Sequence, residues 1–115
     1  MELDHLMRDY EVDLVLSGHY HAYLRTCDGL YRNACHNGGP MHITIGTAGA
    51  TMDSEDLYDN PWSEVYIKNT LGYGRLTVHN DTDLHFEFVQ GAATPDDPNA
   101  GKVLDDVWIH RDRHP

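Results

Sequence analysis

Two short segments in which apolar and polar residues alternate constrain the fold of this chain more than any other feature. They are residues 75–79 and 84–88, and the four residues between them begin with Asn80 and Asp81, residue types that favour turns. The apolar members are Leu76, Val78, Leu84, Phe86 and Phe88. Because side chains alternate between the two faces of a strand, each segment places its apolar residues on one face. The sequence therefore predicts a β-hairpin with one apolar face.

The first eighteen residues have the pattern of a helix followed by a buried strand. In residues 1–11 the apolar residues recur at the i, i+3, i+4, i+7 spacing of an amphipathic helix. These are Leu3, Leu6, Met7 and Tyr10. Residues 12–16 are apolar except for Asp13 and end at Ser17-Gly18, which predicts a short buried strand. A helix that leads into a buried strand is a unit of an α/β layer, so we expect a β-rich α/β fold.

Two further strands are predicted, one on each side of the hairpin. Residues 41–45 alternate apolar and polar, and residues 103–109 are expected to close the sheet. The acidic residues within 53–59 are expected to form a solvated loop face. Three segments are expected to be irregular: residues 19–40, 51–71 and 91–101.

Length and charge exclude several classes of function. A chain of 115 residues is long enough for one domain. Its net charge of -11 argues against nucleic-acid binding, which needs a basic surface. No apolar run approaches the roughly 18–20 residues of a membrane span, and residues 1–5 lack the features of a secretory signal. An acidic interaction module and a metal-dependent site remain.

The residues that follow the first predicted strand favour a metal site. His19 and His21 are two residues apart, so in an extended segment their rings project to the same side. Imidazoles are common ligands of zinc, iron and manganese, and Gly18 allows a sharp exit from the strand. Since metal sites need about four ligands, two histidines alone do not complete one.

The two cysteines leave three alternatives open. Cys27 and Cys35 form a disulfide in an oxidising compartment, or bind zinc together with His36 and His42, or remain free thiols. The pair lacks the Cys-x-x-Cys spacing of a zinc knuckle, which favours the disulfide.

The predicted hairpin carries a modification motif and two histidines. Asn80-Asp81-Thr82 is an N-glycosylation sequon, and a turn is exposed enough to accept a glycan. His79 and His85 fall on the polar face of the hairpin, where we expect them to face solvent.

At this point the motifs resemble a known family. Residues 12–23, which include Gly18-His19-Tyr20-His21, resemble the last metal-binding motif of the purple acid phosphatases, which are binuclear metallophosphoesterases. Residues 42–50, 73–80 and 103–109 are similar to the closing segments of that family, in the same order. The resemblance covers residues 1 to about 110.

The resemblance implies a fold and a chemistry. It implies that residues 1–115 are the C-terminal segment of a four-layer α/β/β/α sandwich with its N-terminal part absent. It implies a centre of ferric iron with divalent iron, zinc or manganese, in which His19 binds the divalent metal and His21 the iron. The family hydrolyses phosphate monoesters by attack of a metal-bound hydroxide. It also implies a protein that is secreted or in an acidic organelle, whereas this chain as written has no signal peptide. A disulfide and a glycan at Asn80 agree with that compartment.

The departures from the family pattern predict an inactive fragment. The upstream motifs that supply aspartates, a tyrosine, an asparagine and a histidine are absent, so no catalytic residue is assigned. Leu24 stands where the family has a glutamate. We expect little phosphatase activity from the isolated chain and oligomerisation through exposed sheet surface. The alternatives are a non-catalytic metal-binding or interaction module, and a related phosphoesterase acting on diesters or nucleotides.

Overall fold

One helix and seven strands form the part of the chain that the structure describes. The computed structural model describes residues 2–18, 21–47, 61–92 and 94–112. In chain order the elements are α1 (Glu2–Asp9), β1 (Leu14–Ser17), β2 (Tyr23–Thr26), β3 (Met41–Ile45), β4 (Ser63–Ile67), β5 (Gly72–Val78), β6 (Asp83–Gln90) and β7 (Val103–His110). No helix among these residues has the length and apolar character needed to cross a bilayer.

The first sheet is mixed and has the strand order β1-β3-β2-β4. Strand β1 runs parallel to β3, with Leu14 opposite Met41 and Ser17 opposite Thr44. Strand β2 is antiparallel to both of its neighbours, β3 and β4. Because β1 and β3 are parallel, their carboxyl ends lie at the same edge of the sheet.

The second sheet is an antiparallel meander in the order β5-β6-β7. Leu76 of β5 is opposite Phe86 of β6, which in turn is opposite Val107 of β7. The predicted hairpin is confirmed, and both of its strands are longer than predicted. The strand predicted at residues 103–109 is confirmed as β7.

The core lies between the two sheets. Six buried side chains form it, three from each sheet: Tyr23, Met41 and Ile43, and Phe86, Phe88 and Ile109. The rings of Tyr23 and Phe88 are stacked with their centroids 4.2 Å apart, which joins β2 to β6. Burying a large apolar side chain contributes roughly 1.5–3 kcal/mol, so this cluster is the main attraction between the sheets. The predicted β-rich α/β fold is thus confirmed, with two sheets and a single short helix among the described residues.

A polar contact also links the sheets. Asp105 of β7 accepts hydrogen bonds from the Tyr23 hydroxyl at 2.6 Å and from Arg25 Nε at 2.8 Å. A second bond from Arg25 Nη2 reaches the other carboxylate oxygen at 3.2 Å. Burial, and then the bond to Asp105, raise the pKa of the Tyr23 hydroxyl above its usual range. The group therefore stays neutral and donates its proton to the carboxylate.

Two strands lie in segments that were expected to be irregular, so that expectation is wrong for them. Strand β2 has only four residues and is buried on both faces, so its sequence shows no alternation. Strand β4 carries the polar residues Ser63 and Glu64 and lies at the edge of its sheet. The acidic residues expected to form a solvated face, 53–59, lie outside the described residues.

Helix α1 is confirmed, but its apolar residues are only partly covered, with Met7 half-buried. Leu3 and Leu6 are half exposed and Tyr10 is 79% exposed. The helix contacts the rest of the chain through Arg8, whose guanidinium lies 4.1 Å from the centre of the Tyr31 ring. Among the described residues, most of the apolar face that the sequence pattern predicts to be buried is therefore exposed to solvent.

Candidate functional site

The carboxyl ends of β1 and β3 position the start of the Gly-His-x-His segment. Gly18 follows β1 directly, and a Cβ atom on Gly18 would lie 3.7 Å from the carbonyl oxygen of Ile45, the last residue of β3. Loops at the carboxyl ends of parallel strands are where α/β proteins place their ligands. The segment that begins at Gly18 therefore starts at the edge where a binding site is expected.

His21 lies at this same edge. It is half-buried and precedes β2 by two residues. Ala22 beside it is fully buried, and its carbonyl oxygen accepts a hydrogen bond of 3.1 Å from the backbone N–H of Gly46, just after β3. The backbone next to His21 is thus anchored against the end of β3.

The described residues do not complete a metal centre. His19 lies outside them, so the predicted His19–His21 pair remains a prediction. Within the described ranges, no three His, Cys, Asp or Glu side chains are grouped so that they could hold a metal ion. Because a stable site needs about four ligands, the donor set that is described does not fit a binuclear centre by itself.

Leu24, which the resemblance places where the family has a glutamate, is a buried residue in the structure. It is 5% exposed and lies on β2 between Thr44 of β3 and Tyr66 of β4. A buried leucine cannot accept a hydrogen bond from a histidine, so this position provides no orienting partner for a metal ligand.

The two cysteines form a disulfide in the structure. The sulfur atoms of Cys27 and Cys35 are bonded and the Cα atoms are 5.8 Å apart. Gly29 inside the loop has φ of 69°, and a Cβ atom there would lie 2.9 Å from the Cα of His36. The close approach of the two sides of the loop thus requires glycine.

Arg111 ties this loop to the rest of the chain. Its guanidinium donates to both carboxylate oxygens of Asp28, at 2.6 and 3.0 Å, and lies 3.3 Å from Asp13 before β1. Burial alone would raise the pKa of Asp28, but the hydrogen bond and charge of Arg111 outweigh it, so that pKa lies below its usual range. The carboxylate is therefore charged over the whole neutral range.

The turn between β5 and β6 carries the sequon. Asn80 and Asp81 are exposed, as expected for a turn. The Asn80 side-chain oxygen accepts hydrogen bonds from the backbone N–H groups of Thr82 and Asp83, both at 2.9 Å, and from the Thr82 hydroxyl at 3.0 Å. These bonds fix the orientation of the carboxamide group.

The outer face of the second sheet carries a cluster that the sequence did not predict. The His85 ring is stacked on the Trp108 ring at 4.3 Å, and its Nε2 lies 3.1 Å from Asp106. His85 lies on this outer, polar face as expected, but it is less exposed than expected, because the Trp108 ring covers it and only 19% of its side chain is exposed. The reason is the register, which places Trp108 directly opposite His85. His79 is exposed, as expected, with its ring against the edge of the same indole.

Comparisons with known proteins give the family. A family model described as "Iron/zinc purple acid phosphatase-like protein C" matches residues 39–106. The chain is 34% identical over 125 residues to acid phosphatase type 7 of Mus musculus, an alignment that covers 95% of this chain and 26% of the relative. It is 33% identical over 120 residues to a nucleotide pyrophosphatase/phosphodiesterase of Hordeum vulgare, with 96% and 30% covered. It is 30% identical over 120 residues to probable inactive purple acid phosphatase 27 of Arabidopsis thaliana, with 96% and 18% covered.

The two facing sheets and the matched segment define a β-rich portion of a metallophosphoesterase α/β fold. The chain belongs to the purple acid phosphatase-like family. It spans between about a fifth and a third of the length of these three relatives.

Proposed function

We propose that residues 1–115 are the C-terminal segment of a binuclear metal-dependent phosphatase, to which they contribute two ligands, His19 and His21. The observation that carries the proposal is the place of Gly18 and His21 at the shared carboxyl edge of β1 and β3. The family match supports it, because the sequence similarity to phosphatases includes this edge.

The remaining ligands are proposed to come from a longer polypeptide that contains this segment. The metal pair is ferric iron with divalent iron, zinc or manganese, and the substrate is a phosphate monoester. Bound cations would supply positive charge that a chain of net charge -11 otherwise lacks. Because the described donors do not complete the centre, no catalytic step is assigned to residues of this segment.

Metal content tests the proposal. We expect the isolated chain to hold fewer than two tightly bound ions and to show little hydrolysis of a phosphate monoester. A longer form that includes this segment is expected to hold two ions, and His19→Ala or His21→Ala to lower that number. His5→Ala is the matched control, because His5 lies exposed on α1. Two ions held by the isolated chain, or full metal content in the His21→Ala variant, would contradict the proposal.

A non-catalytic role is the second candidate. Two observations favour it: the buried Leu24 and the similarity to a relative named as probably inactive. In that case the longer form would bind no more than one ion, weakly, and the His19→Ala variant would behave like the wild type.

The similarity to a nucleotide pyrophosphatase/phosphodiesterase favours diesters as a second class of substrate. Parallel assays of the longer form with an aryl phosphate monoester and the matching diester distinguish the two. A rate on the monoester at least tenfold higher supports the main proposal, and the reverse ratio supports the diester.

We further propose that the chain passes through the secretory pathway and is N-glycosylated at Asn80. The disulfide between Cys27 and Cys35 and the exposed sequon support this, since both belong to an oxidising compartment. In the reaction, Asn80 Nδ2 bonds to the anomeric carbon of a lipid-linked oligosaccharide and loses one proton. The bond from that carbon to the lipid pyrophosphate breaks, and the pyrophosphate leaves. A peptide-N-glycosidase is expected to lower the mass of the secreted chain, and to have no effect on Asn80→Gln.

A further inference from the structure

We propose that the cleft beside the turn of β5 and β6 seats the first sugar ring of a glycan attached to Asn80. The proposal rests on the glycosylation of Asn80 put forward above, and it does not depend on the metal centre. The occupant is a single N-acetylhexosamine, held to the cleft by the covalent bond to Nδ2.

The size of the cleft fits one ring. Its volume is about 250 Å³, just below the roughly 300–1,000 Å³ of pockets that enclose a whole small ligand. Three apolar residues and four charged residues contribute to its lining: Val78, Leu84 and the buried Ile109, and Asp13, Asp81, Asp83 and Arg111. A pyranose ring has an apolar C–H face and a polar hydroxyl rim, which match these two kinds of surface.

The position of Asn80 makes the cleft reachable. Asn80 lines the cleft together with Thr82, the other required residue of the sequon. The three hydrogen bonds that the structure gives the Asn80 side chain all end on its oxygen Oδ1. They hold the carboxamide in one orientation. None of these three bonds involves Nδ2, the nitrogen to which the sugar is attached. A sugar on Nδ2 therefore starts at the wall of the cleft with little rotational freedom to lose.

Val78 provides an apolar surface that nothing described covers. It is 72% exposed, the most exposed of the large apolar residues on the strands. It precedes Asn80 by two residues and is opposite the half-buried Leu84 of β6. Covering this side chain with the C–H face of a sugar removes apolar surface from water, which is favourable.

The charged residues suit the polar rim of the sugar. Asp83 accepts a hydrogen bond from His110, which lowers the pKa of the Asp83 carboxyl and keeps it an acceptor at neutral pH. Arg111 also lines the cleft, but most of its N–H groups already bond to Asp28, Asp13 and the carbonyl of His110, so the carboxylates are the main polar groups left for the sugar. The cleft thus offers hydrogen-bond acceptors for the hydroxyl groups of the sugar next to its apolar wall.

Thermal unfolding of defined glycoforms tests the proposal. The chain is secreted from a eukaryotic host with high-mannose glycans, and an endoglycosidase then trims the glycan to one N-acetylglucosamine. Complete removal by a peptide-N-glycosidase leaves aspartate, so the Asn80→Asp variant is the matched sugar-free reference. We expect the one-sugar form to melt about 4 °C higher than the reference.

Two valine variants then separate seating in the cleft from a general effect of glycosylation. Val78→Ser is expected to abolish the difference between the one-sugar and sugar-free forms. Val103→Ser is the control, because Val103 is an exposed valine on β7 that does not line the cleft, and it is expected to retain the difference. A carbon-labelled sugar should also show nuclear Overhauser effects from its acetamido methyl group or ring protons to the Val78 methyl groups.

An unglycosylated secreted chain would overturn the inference. So would a thermal difference that persists in Val78→Ser, or a labelled sugar with no contact to Val78. None of these readouts uses metal or activity, so the inference fails or holds independently of the proposed phosphatase centre.

Discussion

Asp105 is the residue on which the polar contact between the two sheets depends. Its side chain is 9% exposed and pairs with Arg25, whose side chain is 15% exposed. Asp105→Ala would leave a largely buried guanidinium without its carboxylate and would also free the Tyr23 hydroxyl. Removing one partner of a buried pair typically costs about 3–5 kcal/mol, so we expect a loss of that size in the free energy of unfolding measured with urea.

Asp106 provides the control for this prediction because it is the next residue on β7 and 57% of its side chain is exposed. We expect Asp106→Ala to change the free energy of unfolding by less than about 1 kcal/mol. Equal losses in the free energy of unfolding for Asp105→Ala and Asp106→Ala would show that the buried contact contributes no more to stability than an exposed one.

Asp28 makes stability depend on pH. Arg111 keeps the pKa of Asp28 in the folded chain below its unfolded value of about 3.9. A lowered folded pKa means that the contribution is present above the unfolded pKa and is lost as the pH falls through the folded value. We therefore expect the stability gap between the wild type and Asp28→Asn, measured with urea, to be constant near neutral pH and to shrink below about pH 4. A gap that is the same at pH 3 and pH 7 would contradict the assignment.

At the scale of elements, strand β5 packs closely against the core because residue 74 is a glycine. A Cβ atom on Gly74 would lie 2.7 Å from the Phe86 ring and 2.8 Å from Ile45 Cδ1. Gly74→Ala should therefore overpack the space between the sheets and cost about 1–3 kcal/mol of the free energy of unfolding. Gly91→Ala is the control, since its Cβ would be no closer than 3.7 Å to any of its nearest atoms. Equal unfolding midpoints for the two variants would show that this fit is not tight.

The elements that were predicted from sequence share a visible local pattern. The hairpin strands alternate because Phe86 and Phe88 point into the core while His85 and Glu87 point away from it. Strand β2 gave no such pattern, because Tyr23 and Leu24 are both buried although they lie on opposite faces. A strand that is buried on both faces is predictable only from its partners.

The candidate site could be predicted only in part, because only some of its features leave a local pattern in the sequence. The spacing of His19 and His21 after an apolar run is a local signal, and the place of His21 beside the end of β3 agrees with it. Tyr23 and Asp105, which are in contact, lie 82 positions apart in the chain, so no local sequence pattern predicts their contact. For Cys27 and Cys35 the spacing favoured the disulfide but left the alternatives open, and the fold, which brings their Cα atoms to 5.8 Å, shows the bond.

At the scale of the whole molecule, the exposed apolar surface predicts association. On the second sheet, Tyr73 is 51% and Leu104 is 37% exposed, and they lie on its two outer strands. We expect sedimentation of the isolated chain to show mass that increases with concentration, and Tyr73→Thr with Leu104→Thr to reduce this increase. Circular dichroism checks that the variant is folded. A wild-type chain that stays monomeric at high concentration would contradict this prediction.

The size of the product that carries this segment in its source cells tests the central claim most directly. An antibody against this chain, followed by intact mass measurement, gives that size. Because the chain corresponds to 26% of acid phosphatase type 7, we predict a product about four times as long, in which His19 and His21 join ligands from the rest of the polypeptide. A product of 13.1 kDa would contradict the account, because the two histidines would then have no partners to complete a binuclear centre.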